Sequence, residues 1–255
     1  MSSDATAEAA MPAVRLDGVS KTFGTRAVLD DVSFDVTRGR GFIILGRSGT
    51  GKSVTLRHIV RLMLPDRGRV FVEGDEISAL KGADLSRVRQ KIGFLFQNAA
   101  LFDSISVGEN VAFPLRRHTR LSDQDIKERA TQKLAAVGLE DEYDKMPAAL
   151  SGGMRKRAGL ARALALDPPI LLVDEPSAGL DPITADEIDT LLLKLKERGS
   201  TTLIVVTHNI PSAKRLGDEL VMLDEGRIIA RGTVADLERS EEPMVRAFMS
   251  SQHSG

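Results

Sequence analysis

Hydrophobic and polar residues alternate along the first third of the chain in the manner of β-strands. The hydrophobic positions with this spacing are Val14, Leu16, Val19, Val32, Phe34 and Val36. Glycines at positions 18, 24 and 39 interrupt the pattern. A period of two predicts strands with one buried face, separated by turns. The next run, at residues 41–45 (GFIIL), is entirely hydrophobic and predicts a buried strand, followed by a glycine-rich turn and a helix from about Lys52.

Strands and helices then alternate over much of the remaining chain. Further strands are predicted at residues 69–73, 91–96, 170–174 and 202–207, and a helix at residues 185–198. Such alternation is typical of an α/β fold with a largely parallel sheet covered on both faces.

Residues 97–166 have a different pattern, in which strand signals disappear. Hydrophobic residues recur at helical spacing at Ile126, Ala130, Leu134 and Val137. Gly138 then ends that helix, and Ser122 with Asp125 predicts a capping box at its start. This segment is therefore predicted to be a helical insertion into the α/β core.

Composition excludes several classes of protein. The 255 residues include 35 Lys and Arg against 36 Asp and Glu, a formal net charge of −1, and no cysteine. The absence of cysteine excludes a disulfide scaffold, a thiolate metal site and a cysteine nucleophile. The charge balance argues against a nucleic-acid partner held by its phosphates.

The chain carries no predicted membrane span and no secretory signal. Its hydrophobic runs are far shorter than the roughly 18 to 20 residues that cross a bilayer. Residues 1–12 contain acidic residues and no hydrophobic centre, so we expect a disordered N-terminal arm. The expected location is cytoplasmic, and any role at a membrane would come through a partner.

Residues 46–53 (GRSGTGKS) match the phosphate-binding pattern G-x-x-x-x-G-K-[ST] between a predicted strand and a predicted helix. Glycines let the backbone approach a phosphate closely, and the loop N–H groups then surround the anion. Lys52 is expected to contact the outer phosphates, and the Ser53 hydroxyl to bind Mg²⁺. The nucleotide-binding positions are predicted to be Gly46, Arg47, Ser48, Gly49, Thr50, Gly51, Lys52, Ser53 and Val54.

Two adjacent carboxylates end the predicted strand at residues 170–174. Alone, such a pair is more often a solvated turn; beside a phosphate loop it predicts the second half of a nucleotide site. Asp174 is then expected to hold Mg²⁺, and Glu175 to orient or deprotonate the attacking water. His208 ends the next strand and is predicted to contact the γ-phosphate.

A second glycine loop lies at residues 150–154 (LSGGM), before a basic helical run. Ser151 is a natural helix cap, and Gly152 and Gly153 expose N–H groups at a helix N-terminus. Spacing alone leaves two interpretations open: a second anion site, or an ordinary capped helix with a solvated basic face.

Over residues 13–240 the chain resembles the ABC-type ATPases. The phosphate loop, Gln97, LSGG, VDEP, SAGLD (residues 177–181) and His208 occur in that family's order. The resemblance implies a P-loop NTPase (RecA-like) fold: a mostly parallel sheet core, an antiparallel β subdomain and an α-helical subdomain inserted at about residues 97–166. Residues 241–255 would form a C-terminal tail, which either packs on the core or grips a second protomer.

The same resemblance implies that two ATP molecules bind between two head-to-tail copies of the chain. The LSGG residues Ser151, Gly152 and Gly153 would contact the γ-phosphate bound to the opposite copy. Phe23 matches the position that stacks on adenine, and Asp181 would bridge the two protomers. Gln97 would sense Mg²⁺ and the attacking water.

Within the family, the sequence resembles the ATPase of Mla/Mce-type lipid transporters at residues 96–119, 150–166 and 180–184. That resemblance implies a homodimer beneath a membrane permease, peripheral to the cytoplasmic face of the inner membrane, with an Mce-domain protein as a further partner and phospholipid as cargo. Residues 97–119 would receive the permease's coupling helix.

Three other functions stay open. The first is an importer or exporter ATPase for amino acids, sugars or drugs. The second is a soluble ABC ATPase that acts on ribosomes or DNA, although the chain lacks a second ATPase unit and a basic tract. The third, a nucleotide-binding regulator without turnover, is disfavoured because Glu175 and His208 are both present.

Overall fold

A computed structural model describes residues 11–199 and 201–251 of the chain. The strands are β1 (Val14–Phe23), β2 (Arg26–Val36), β3 (Gly41–Leu45), β4 (Arg67–Val72), β5 (Asp75–Glu76), β6 (Ile92–Leu95), β7 (Ile170–Asp174), β8 (Thr202–Thr207), β9 (Glu219–Asp224) and β10 (Arg227–Gly232). The α-helices are α1 (Lys52–Ile59), α2 (Gly82–Arg89), α3 (Val107–His118), α4 (Asp123–Ala135), α5 (Gly152–Ala163), α6 (Pro182–Glu197), α7 (Ile210–Leu216), α8 (Val234–Glu238) and α9 (Pro243–Ser250). The predicted arm at residues 1–12 lies outside the described residues, except for its last two positions.

Six strands form the central sheet, in the order β10–β9–β3–β8–β7–β6. The pairs from β9 to β6 are parallel, and β10 pairs antiparallel with β9 at one edge. Every residue of β3, β7 and β8 is buried, as in a parallel sheet covered on both faces. Because these three strands are parallel neighbours, the residues that follow them meet at one edge of the sheet.

The two faces of this sheet belong to two hydrophobic cores. Along β3, Ile43 and Leu45 join one core, whereas Phe42 and Ile44 join the other, since successive strand residues point to opposite faces. The first core is completed by helices α3, α4 and α5, and the second by α1 and the strands β1, β2 and β4. Helices α3, α4 and α5 therefore pack on one face of the central sheet, and strands β1, β2 and β4 on the other.

The predicted strands of the first third form a separate antiparallel sheet, in the order β2–β1–β4–β5. Val14 lies opposite Val36 on β2 and opposite Val72 on β4. The inward-facing hydrophobic side chains of this sheet pack against one face of the central sheet. This arrangement confirms the antiparallel β subdomain that the resemblance implied.

Helices α3, α4 and α5 lie between β6 and β7, which are neighbours in the central sheet. Ser106 caps α3 by accepting from the Glu109 N–H, and Ser122 and Asp125 form the predicted capping box at α4. The segment at residues 97–166 is thus a helical insertion, as its sequence pattern predicts. Across residues 11–199 and 201–251, no helix is both long and hydrophobic enough to cross a membrane.

The structure adds elements that the hydrophobic pattern did not predict. The hairpin β9–β10 extends the central sheet beyond β3, and α2 and α7 are further additions. Helix α6 begins three residues earlier than expected, because Asp181 caps it and Pro182 occupies its first position. Helix α9 in the predicted tail packs Val245 and Met249 into the core. A grip on a second protomer stays a prediction, as do the boundaries of the domain at residues 13 and 240.

Candidate active site

The phosphate loop joins the end of β3 to the start of α1, as the sequence predicts. Gly51 immediately precedes α1 with a φ of 101°, in the region that favours glycine. A Cβ on Gly51 would lie 2.6 Å from the Val28 carbonyl oxygen, so a larger residue would force the loop away from β2. Arg26, at the start of β2, also contacts this loop: its Nη2 donates to the Gly49 carbonyl at 3.1 Å.

Lys52 is buried within the loop that it follows. Its Nζ donates to the carbonyl oxygens of Gly46 at 2.8 Å and Arg47 at 3.0 Å, and lies 3.4 Å from Glu175 Oε1. The loop therefore curls around a cation held near its centre. Such an arrangement concentrates positive charge and N–H donors where an anion would be bound.

Ser53 and Asp174 come from different elements and meet behind the loop. The Ser53 hydroxyl donates to Asp174 Oδ1 at 2.7 Å. Burial raises the pKa of Asp174, although the Ser53 hydrogen bond opposes this shift. A hydroxyl and a carboxylate are hard oxygen donors of the kind that Mg²⁺ prefers. This pair consequently fits a magnesium ion that would also bind nucleotide phosphates.

Glu175 stands between the phosphate loop and His208. Its carboxylate lies 2.9 Å from His208 Nδ1 through Oε2, and its other oxygen faces Lys52. The residue is buried and its φ is 47°, a left-handed conformation that is uncommon outside glycine. A carboxylate oriented by two partners beside a phosphate loop can align a water molecule or accept its proton.

The LSGG loop packs against the start of α6. Ser151 caps α5 by accepting from the Met154 N–H at 3.2 Å. A Cβ on Gly153 would lie 2.3 Å from Thr184 Cγ2, so this close approach requires glycine. Asp181 caps α6 through the N–H groups of Ile183 and Thr184, and hydrogen bonds from Thr184 lower the pKa of Asp181.

Gln97 and Phe23 lie at the margins of the site. The exposed Gln97 borders a cavity of about 350 Å³ that it shares with Gly152, Lys156 and Gly179. Phe23 is exposed at the end of β1, directly opposite Arg26 in the hairpin. The structure thus gathers Lys52, Ser53, Asp174, Glu175 and His208 into one cluster and leaves the LSGG residues, Asp181, Gln97 and Phe23 around it.

Two residues of this site were missed by sequence reasoning. Arg26 contacts the phosphate loop, and Lys156 donates from Nζ to the Glu175 carbonyl at 3.0 Å. Lys156 lies in the basic run after LSGG, for which a solvated face is one of the two interpretations that spacing leaves open. Only its position, five residues after a helix cap and on the buried side of α5, could have signalled an inward orientation.

The family of the chain is identified by comparison with known proteins. The sequence profile of the family described as ABC transporter matches residues 29–178, which include the phosphate loop, the LSGG loop and both carboxylates. The chain belongs to the ABC transporter family. It is an ABC ATPase, and it binds ATP.

Two curated relatives resemble this ABC ATPase over most of its length. The "probable ribonucleotide transport ATP-binding protein mkl" of Mycobacterium leprae is 40% identical over 243 residues, which cover 95% of this chain and 70% of the relative. The "intermembrane phospholipid transport system ATP-binding protein MlaF" of Escherichia coli is 38% identical over 242 residues, covering 95% and 90% of the two chains.

Solved structures confirm the fold of the ABC ATPase. The ATP-binding cassette MJ0796, solved as a dimer in a post-hydrolysis state with ADP and Pi, matches with a TM-score of 0.81 and 35% identity, covering 86% of this chain and 98% of that one. CbiO1 from Clostridium perfringens, part of the transporter complex cbiONQ, matches with a TM-score of 0.78 and 26% identity, covering 92% and 98%.

Proposed function

We propose that this ABC ATPase powers phospholipid transport between the membranes of a bacterial envelope. The observation that carries the proposal is the 38% identity to MlaF, which extends across 95% of this chain and 90% of the relative. The similarity includes residues 96–119, where the chain would meet its permease.

The proposed working form is a head-to-tail homodimer with two ATP molecules at its interface. Ser151, Gly152 and Gly153 of one copy would face the phosphate loop of the other, and Asp181 would lie between the copies. The dimeric state of the MJ0796 cassette supports this arrangement. It is also supported within the protomer, where LSGG packs on α6 and leaves the N-terminus of α5 available to an anion.

Each residue of the cluster has a proposed task. Lys52 and the loop N–H groups at residues 46–54 bind the phosphates, while Phe23 stacks on the adenine. Mg²⁺, held by Ser53 and Asp174 and monitored by Gln97, would supply positive charge at the outer phosphates. Glu175 orients the attacking water and accepts its proton, and His208 fixes the Glu175 carboxylate and contacts the γ-phosphate.

The proposed partners are a membrane permease and an Mce-domain protein, with the ATPase peripheral to the cytoplasmic face of the inner membrane. A groove of about 560 Å³ supports the permease contact. Its lining includes Phe102 and Phe113, two exposed aromatic side chains whose ring centroids are 5.1 Å apart. Exposed aromatic clusters of this kind are typical of protein interfaces.

Ribonucleotide transport is the second candidate, favoured by the 40% identity to mkl. The ATP site would be the same for both cargoes, because the cargo would be selected by the membrane partner. The two candidates therefore differ only in what is recovered with the assembled transporter.

Affinity purification of tagged Glu175→Gln protein from detergent-solubilised membranes tests the proposal. We expect a permease and an Mce-domain protein, with phospholipid identified by mass spectrometry and absent from an untagged control. Ribonucleotide enrichment above the ATP bound at the site, without lipid, would favour the second candidate. Ribosomal or DNA-bound proteins without a permease would contradict both.

A further inference from the structure

Lys156 is a buried cation for which the roles proposed above have no use. It lies on α5, five residues after the cap Ser151, and only 5% of its surface is exposed. Its Nζ donates to the backbone carbonyl of Glu175 at 3.0 Å. The contact joins the helix that carries the LSGG loop to the proposed catalytic base in the same protomer.

The charges around Lys156 explain how a cation is tolerated at this depth. Lys52, Lys156, Asp174 and Glu175 are all buried, so two cations face two carboxylates. Burial lowers the pKa of Lys156, whereas the Asp174 and Glu175 carboxylates favour its charged form. Lys156 therefore compensates part of the negative charge of the two carboxylates.

The backbone of Glu175 is held from both sides. Its N–H donates to the Val206 carbonyl at 2.9 Å, and its carbonyl accepts from Lys156 Nζ and from the Ala178 N–H at 3.2 Å. A residue other than glycine keeps a positive φ where surrounding contacts hold it in that conformation, and Glu175 is such a residue. Because backbone conformation restricts the side-chain rotamers, these bonds limit where the Glu175 carboxylate can point, and His208 and Lys52 then orient it.

We infer that Lys156 is a positioning residue for Glu175: it fixes the backbone of the base and couples it to the helix that bears the LSGG loop. The inference rests on the proposed role of Glu175 as the base. Its consequence is that occupation of LSGG by the opposite protomer's nucleotide is transmitted through α5 to the carboxylate in its own protomer.

Steady-state ATPase kinetics of Lys156→Met test this inference, since methionine keeps an unbranched stem and removes the donor. We expect kcat to fall about tenfold to a hundredfold, the loss typical of a small misplacement of a reacting group, while KM for ATP changes less than about twofold. Lys156→Arg should restore most of kcat, because the adjacent cavity of about 350 Å³ has room for the longer side chain.

Lys196→Met is the matched control. Lys196 is also partly buried and donates from Nζ to a backbone carbonyl, that of Leu216 at 3.1 Å, away from Glu175. It should lose stability without losing kcat. If Lys156→Met does not fold, Lys156→Gln replaces it, with the active fraction counted from the stoichiometry of bound ATP.

The Glu175→Gln background separates this inference from the proposed function. There, Lys156→Met should neither slow hydrolysis further nor change the ATP concentration that drives dimerisation. Additive losses, or impaired dimerisation, would overturn the inference, because Lys156 would then support the LSGG loop and not the base. If Glu175→Gln hydrolyses ATP slowly but the single variant Lys156→Met keeps the wild-type kcat, the inference is overturned and the proposed role of Glu175 stands. Wild-type hydrolysis by Glu175→Gln would instead overturn the proposed role of the base.

Discussion

At the scale of single residues, the phosphate loop depends on one buried ammonium group. Lys52 holds the carbonyls of Gly46 and Arg47 and faces the Glu175 carboxylate. Lys52→Ala would remove the cation from the phosphate site and leave that carboxylate partly uncompensated. Because a hydrogen bond to a charged group contributes about 1.5–3 kcal/mol, we expect ATP affinity to fall about tenfold to a hundredfold, measured by isothermal titration calorimetry.

Lys145→Ala is the control for this prediction. The exposed Lys145 pairs with the partly buried Glu142 in the helical insertion and lies outside the phosphate loop. ATP affinity should be unchanged in this variant. Unchanged affinity in Lys52→Ala as well would show that the loop N–H groups alone bind the phosphates.

Glu175 allows a complementary prediction, in which binding and turnover separate. Glu175→Gln keeps the shape of the side chain but cannot accept a proton. We expect ATP to bind with near wild-type affinity, and hydrolysis to slow about a hundredfold to ten-thousandfold, the usual contribution of a general base. Rapid-quench measurement of ADP checks this, and the exposed Glu197→Gln is the control. Turnover at the wild-type rate would remove Glu175 from the chemistry.

At the scale of elements, helices α6 and α7 are joined by a buried polar contact. Ser212 on α7 donates its hydroxyl to Asp189 Oδ2 on α6, while Asp189 Oδ1 is buried without a hydrogen-bond partner. Burial raises the pKa of Asp189, opposed by the Ser212 hydrogen bond and the nearby Arg215. These helices follow Asp181 and His208 directly, so their contact links two margins of the active site.

Asp189→Asn should therefore change how stability depends on pH. The folded wild-type protein binds the Asp189 proton more tightly than the unfolded chain does. The stabilisation is therefore complete below the pKa of Asp189 in the unfolded chain, and it is lost as the pH rises through the raised pKa of Asp189 in the folded protein. The variant has no such loss. Its free energy of unfolding in urea, relative to wild type, should increase with pH by about 1.4 kcal/mol for each unit of pKa elevation.

Glu187→Gln provides the comparison, since Glu187 is an exposed carboxylate on the same helix, whereas the charge of Asp186 itself raises the pKa of Asp189. Its unfolding free energy relative to wild type should not rise with pH in this way. If the difference in unfolding free energy between Asp189→Asn and wild type did not change with pH, burial would not raise the pKa of Asp189.

The elements also explain what sequence could predict. The phosphate loop is local: its geometry arises from eight consecutive residues between a buried strand and a helix, so the sequence identifies it directly. Capping of α4 by Ser122 and Asp125 is equally local. In contrast, the contact of Lys156 with Glu175 joins positions 19 residues apart and exists only because tertiary packing brings α5 to the residue that follows β7. Strand β9 carries a detectable hydrophobic run, but its place beside β3 depends on tertiary pairing.

At the scale of the whole molecule, the central sheet separates the chemistry from the surface that would meet a membrane partner. The carboxyl ends of β3, β7 and β8 carry the ATP site, whereas the groove around Phe102 and Phe113 lies on the helical insertion and the neighbouring α2 and β6. Helix α5 connects the two, since Arg162 and Ala163 line the groove and Lys156 contacts Glu175. A movement at the groove would therefore reach the proposed base, Glu175, through α5.

This arrangement predicts that permease binding can be removed while ATP binding is kept. Phe113→Ser deletes an exposed aromatic ring from the groove, whose lining residues do not include the clustered residues of the nucleotide site. We expect co-purification of the permease to fall at least about tenfold, as for a buried aromatic contact at an interface, with ATP affinity unchanged. Ile229→Ser, which removes an exposed hydrophobic side chain from β10, should leave co-purification intact. If Phe113→Ser retained the permease and Ile229→Ser lost it, the partner would bind the β10 edge, and α5 could not carry its signal to Glu175.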